Sequence, residues 1–121
     1  MSTEKVTTEQ LGELVTASLD DLRAVNPVVL DVRGKTSITD LMIIATGTSN
    51  RHVRSLADHV IEKVKEAGLR PLGVEGTEGA EWILVDLGDV VVHVMSEGTR
   101  DLYRLEHIWG MEEELDQQHG G

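Results

Sequence analysis

Four aspartates, Asp31, Asp40, Asp86 and Asp89, are the side chains whose type suits metal-assisted chemistry. Grouped carboxylates hold magnesium in nucleotidyl transfer, so a small metal-dependent nucleotidyltransferase using Asp86, Asp89 and Asp31 is the enzymatic reading of the chain. The spacing works against it. Residues i and i+2 of a strand share a face whereas i and i+3 do not, so Asp86 and Asp89 need a turn between them to converge. No Gly-rich loop ending in Lys and no basic clamp accompanies them to hold phosphates. His52 and His59 stand two turns apart along one side of a helix, too far for one zinc ion without a third element, and capping or surface roles suit them better. Gly47-Thr48-Ser49 ahead of a helix has the composition of an anion-binding N-terminus and equally that of an ordinary cap. His93 has the chemistry of a ligand or base, or of a hydrogen-bonded strand histidine. Trp82, Met95, Tyr103 and Trp109 suit a core, yet Trp and Tyr are also the usual anchors of protein interfaces. The chain has no Phe, and its few aromatic side chains fall between residues 82 and 109. No catalytic residue, metal or cofactor is assigned from this set.

The element that must position most of these residues is a hairpin over Trp82 to Met95. With Gly88 and Asp89 as its turn, Gly at the first central position suits a two-residue type II′ connection. Leu87 then faces Val90, Val85 faces Val92 and Ile83 faces Val94, giving one wholly aliphatic face that must be core. The other face pairs Trp82 with Met95, Leu84 with His93 and Asp86 with Val91. A closed core does not readily accept that mixture, so this face is expected to be half-open, either the rim of a packed helix or a binding surface.

The remaining elements follow from period and caps. Thr7 and Gln10 have capping-box spacing, and Leu11, Leu14, Val15, Leu22 and Val25 share a stripe, predicting a helix over residues 8–24 ended by Pro27. From Val28 the period is two, with Val28, Leu30 and Val32 on one side. Gly34-Lys35 turns the chain into Leu41–Thr46, an apolar run expected to be an interior strand covered on both faces. Val53, Leu56, Ala57, Val60, Ile61 and Val64 mark a second helix with Gly68 as its C′ residue. Leu69–Val74 reads as a short strand which Pro71 confines to an edge or a strand start. A loop over 75–80 leads to the hairpin. A third helix, capped within Ser96–Thr99, directs Leu102, Leu105 and Ile108 or Trp109 inward and stops at Gly110. Met111–Gly121 is an acidic tail expected to be disordered. The order predicts a single α+β domain, a mixed five-stranded sheet with helices packed on it.

Composition sets the class. One domain fits 121 residues, and no run is long enough to span a bilayer. With no cysteine, disulfides and thiolate chemistry are excluded, and the reducing cytoplasm is the natural compartment. The opening MSTEKVTTEQ resembles neither a secretion nor an import signal. Net charge is −11, from 22 acidic against 11 basic side chains. Phosphate contacts are made chiefly by Lys and Arg, so little direct nucleic-acid binding is expected. An acidic surface suits a basic protein partner, or simply keeps the protein in solution.

Five stretches together resemble the ribosomal silencing factor family, RsfS, also called Iojap. They are ITD at Ile38–Asp40, GTSNRHVRSLADHV at Gly47–Val60, GVEG at Gly73–Gly76, WILVDLGDVVVHVM at Trp82–Met95 and RDLYRLEHIW at Arg100–Trp109. The likeness covers residues 8–110, leaving an N-terminal extension over 1–7 and the tail over 111–121. The resemblance implies a domain related to nucleotidyltransferases that lacks their catalytic site. It implies binding to the large ribosomal subunit through the ribosomal protein L fourteen, on the face the small subunit must meet. Subunit joining would then be blocked and translation would fall under nutrient limitation. It implies a homodimer when free, while the lack of a long apolar run is what leads to the expectation of no membrane association. The docking patch expected on this chain has Trp82 and Met95 at an apolar centre, Asp86 and Asp89 as acidic partners for Lys or Arg, and His93 between them. Arg100 and Tyr103 from the following helix complete it.

Overall fold

A computed structural model describes residues 6–76 and 78–103. The side chains of Leu102 and Tyr103, the continuation of the last helix through Leu105, Ile108 and Trp109, its stop at Gly110 and the tail from Met111 lie outside the described residues. Eight elements run in the order α1 (Thr8–Asp21), β1 (Val25–Asp31), β2 (Leu41–Gly47), α2 (Asn50–Glu66), β3 (Gly73–Glu75), β4 (Trp82–Asp86), β5 (Val90–Ser96) and α3 (Glu97–Tyr103). The strands form one mixed sheet in the order β1-β2-β5-β4-β3. Only β2 and β5 are parallel; the other three pairings are antiparallel.

The hairpin has the register its alternation predicts, Trp82 with Met95 through Asp86 with Val91, closed by Leu87 N–H donating to the Val90 carbonyl at 2.9 Å. Gly88 has φ of +89° while Asp89 keeps the ordinary sign, the one-sided pattern of a II′ turn. Ile83, Val85, Val90, Val92 and Val94 are buried against α1 and α2 through Leu11, Val15, Leu19, Val53, Leu56, Val60 and Val64. β2 is buried at every position, as its apolar run requires. Among the described residues no helix is long and apolar enough to cross a membrane.

The caps hold as read. Thr7 and Gln10 exchange both bonds of a capping box, at 3.0 and 2.9 Å. Gly68 follows the Ala67 C-cap with φ of +87°.

The junction after α1 departs from the sequence reading. The helix ends at Asp21, and Arg23 in a left-handed conformation (φ 61°) turns the chain before Pro27 is reached. Val25 therefore leaves the helical stripe and begins β1, paired with Thr46. A β-bulge follows between Val25 and Val28, with Asn26 at φ 48° and Pro27 inside it. β1 is an edge strand, and a bulged edge tolerates a residue without an N–H, so Pro27 sits within the strand. At the opposite edge, β3 begins two residues after Pro71.

The GTSN segment is taken up by capping. Ser49 Oγ accepts from His52 N–H at 3.0 Å, and Thr48 N–H donates to His52 Nδ1 at 2.9 Å. Nδ1 must then be unprotonated, which leaves Nε2–H to donate to the Leu22 carbonyl at 2.7 Å. His59 Nε2 meets Asp21 Oδ2 at 3.0 Å. Both histidines thus fasten α2 to the C-terminal end of α1. Replacing His52 with Ala leaves two backbone groups without their partner. It should cost about 1–3 kcal/mol, read as a lower urea midpoint with an unchanged m-value.

Candidate docking surface

The carboxylates of the enzymatic reading stand at one end of the sheet and are held by different partners. Arg33 draws Asp31 and Asp40 to 3.8 Å each and Glu9 to 2.8 Å. The hydrogen bond from Arg33 holds the Glu9 carboxyl below the usual carboxylate range. Asp86 Oδ1 accepts from Gly88 N–H at 2.9 Å, which braces the hairpin turn. Asp89 Oδ2 accepts from the Thr8 hydroxyl at 3.2 Å, on the α1 side of the sheet. Asp86, Asp89 and Asp31 therefore do not converge. Among the described residues no group of three or more His, Asp or Glu is placed to hold a metal ion.

The second sheet face is the one on which a docking patch was expected. Its register rows run Val25, Thr46, Met95, Trp82 and then Val28, Ile44, His93, Leu84, Glu75. The face is open over β4 and β3, and at its other edge Val25, Val28 and Leu30 of β1 are half-buried as well. Trp82, Leu84 and Asp86 are half-buried and Glu75 is exposed. Glu75, Gly76, Trp82 and Leu84 line a shallow hollow of about 280 Å³. Gly76, with φ of +83°, packs so closely on the Trp82 carbonyl that any Cβ there would collide with it. Toward the middle the face closes: Met95 is 0% exposed and packs with Val32, Met42 and Ile44, and His93 is 6% exposed.

Four of the expected patch residues therefore change role or place. Met95 and His93 cannot touch a partner directly, because β5 lies inside the sheet and its side chains are covered. The pairs Trp82 with Met95, Leu84 with His93 and Asp86 with Val91 are the mixture that a closed core was not expected to accept. The Trp and the His meet within this face because Trp82 Nε1–H donates to His93 Nδ1 at 3.0 Å, which pairs the indole donor with one imidazole nitrogen. Asp89 is turned toward α1. Arg100 is spent on structure, donating to the Asn26 carbonyl and, at 3.0 Å, to Thr46 Oγ1. It ties α3 to the ends of β1 and β2. Trp82 and Asp86 remain on the open part, roughly 13 Å apart along β4 at strand rise. Leu84, read on this face opposite His93, was left out of the expected patch, and Glu75 was missed; Glu75 joins this open part because it pairs with Leu84 across β3 and β4.

Burial pushes the His93 imidazole from 6.5 down to about 4. A depressed pKa means the unfolded chain takes up the proton first, so the stability that neutral His93 contributes is full above pH 6.5. It is lost progressively as pH falls toward 4. In urea titrations, the wild type should lose about 2 kcal/mol more than H93L between pH 7 and 4.5. Parallel curves for the two proteins would place His93 in water.

What the fold and this face define is a small α+β domain with a partly open sheet face that sets apolar beside acidic side chains. The comparisons with known proteins place that domain in a family. The model of the family described as "Ribosomal silencing factor during starvation" matches residues 5–120, which takes in most of the acidic tail. The chain is 48% identical over 99 residues to ribosomal silencing factor RsfS of Haemophilus influenzae, covering 82% of this chain and 97% of that one. Mouse mitochondrial assembly of ribosomal large subunit protein 1 is 32% identical over 92 residues, covering 74% of this chain and 40% of that one. A crystal structure of a Chromobacterium violaceum protein superposes with a TM-score of 0.85 at 45% identity, covering 86% of this chain and 87% of that one. One from Bacillus halodurans gives 0.77 at 36%, covering 84% and 94%. The chain belongs to the ribosomal silencing factor family, and with it to the ribosome-associated regulators of translation.

Proposed function

We propose that this protein binds the large ribosomal subunit through a basic ribosomal protein at the subunit interface, L fourteen by the resemblance, and keeps the small subunit from joining. The mechanism is obstruction without a chemical step. Two bodies cannot occupy one surface, and a factor bound to the free large subunit withdraws it from association by mass action. Its place of work is the cytoplasm, where bacterial ribosomes are, and the free form is proposed to be a homodimer.

The observation that supports this reading best is the open end of the second sheet face. Trp82 and Leu84 offer apolar area beside the acidic Glu75 and Asp86, a pairing that suits a Lys- or Arg-rich protein surface. The net charge of −11 favours encounter with a basic partner and disfavours direct RNA contact. The name of the mouse relative, an assembly protein of the mitochondrial large subunit, agrees with the choice of subunit.

Sucrose-gradient sedimentation at rising factor concentration should move joined ribosomes into free subunits. Full reassociation at saturating factor would reject the mechanism. Trp82→Ala should weaken binding to purified large subunits by about 2 kcal/mol or more, while a lower melting temperature with unchanged affinity would make Trp82 a packing residue alone. Glu75→Lys should slow association more than it speeds dissociation, with the difference shrinking as salt rises. Stopped-flow binding at two ionic strengths reads this directly.

A further inference from the structure

His93 is a buried polar side chain that obstruction does not require. It stands on β5 in register with Ile44 on one side and Leu84 on the other, so its backbone is fixed by pairing on both flanks. Its Nδ1 accepts a hydrogen bond from Trp82 Nε1–H at 3.0 Å. An indole N–H can only donate, so Nδ1 is the unprotonated nitrogen. The two rings lie 5.8 Å apart between centroids and are tilted by 50°. The rings are tilted and not stacked, as a hydrogen bond joining the edges of two rings allows.

We propose that His93 is a positioning residue of the docking surface: lying beneath that surface and out of a partner's reach, it sets the orientation in which Trp82 is presented to the large ribosomal subunit. The inference rests on the reading of Trp82 as the anchor. A half-buried tryptophan on a strand has several staggered χ1 wells and a broad χ2, and a partner that needs one orientation must pay for excluding the rest. The bond to Nδ1 makes that selection beforehand, against a histidine the sheet holds still. It also takes the indole's polar atom inward. A partner covering the Trp82 ring then meets hydrocarbon beside Leu84 and strands no unpaired donor at the contact.

Two substitutions separate orientation from packing. Leu keeps much of the volume of His and removes the acceptor. Asn carries its Oδ1 on Cγ as His carries Nδ1, so it restores an acceptor at the same branch point while burying an amide less comfortably. Purified large ribosomal subunits are the probe, with W82A as the control for the anchor. H93L is expected to fold at least as stably as H93N and yet bind about tenfold more weakly than wild type, the weight of one hydrogen bond. H93N is expected to be the less stable of the two and to recover most of the affinity. In proton–nitrogen correlation spectra the indole peak that W82A removes should shift in H93L and return toward its wild-type position in H93N.

The proposal is overturned if affinity follows stability across the two variants, or if H93L binds as wild type while W82A does not. If W82A itself binds unchanged, the reading of Trp82 as anchor falls and the proposal falls with it.

Discussion

The parallel pairing of β2 with β5 is the constraint on which the rest of the structure depends. Seven residue pairs run from Leu41 with Val90 to Gly47 with Ser96, on two strands buried almost throughout. Buried backbone groups have no water to turn to, so each strand must find the other or leave N–H and C=O groups unpaired. The partners are far apart in sequence, and α2, β3 and β4 have to be laid down in the connection between them. Once they pair, β1 can add outside β2, while β4 and then β3 add outside β5. The polarity of the sheet follows as well. The ends of β2 and β5 meet where Arg100 fastens α3, and their beginnings meet where Asp89 accepts from the backbone of Asp40 and Leu41.

A sheet so thoroughly covered has one place where two layers of function overlap. The second face closes over Ile44, Met95 and His93 and opens over Trp82 and Leu84, within the width of two strands. The bond between Trp82 and His93 crosses that boundary. It lets an imidazole be buried neutral on one side and an indole be half-exposed on the other, and neither fits its environment as well without its partner.

Much of the fold was legible because its strongest signals are local. Period and turn chemistry gave the hairpin its register to the residue, with Gly88 in the turn, and the stripe from Val53 to Val64 gave α2 with Gly68 beyond its end, its cap left open among several candidates of which Ser49 is the one used. The junction after α1 was not legible. Val25 fits a helical stripe by count, and Pro27 looks like a stop; whether a chain turns left-handed at Arg23 depends on a β2 partner lying far along the sequence. The docking patch was half legible for the same reason. Alternation placed Trp82, His93 and Met95 on one face correctly, but which of them is covered depends on the order of strands. An interior β5 hides its side chains, whereas β4, next to a three-residue edge strand, does not. Glu75 escaped notice because its place beside Leu84 is a property of the β3 register and of nothing in its own neighbourhood.

Both rims of this sheet are poor templates for further chains. On one side, Pro27 and the bulge around Asn26 break the row of free amides that a foreign strand would need. On the other, β3 offers three residues and then bends away at Gly76. An apolar opening beside an open sheet edge invites fibrous self-association, and blunted rims of this kind are how natural sheets avoid it. Trp82 and Leu84 can therefore stay half-exposed without the chain polymerising through its own strands.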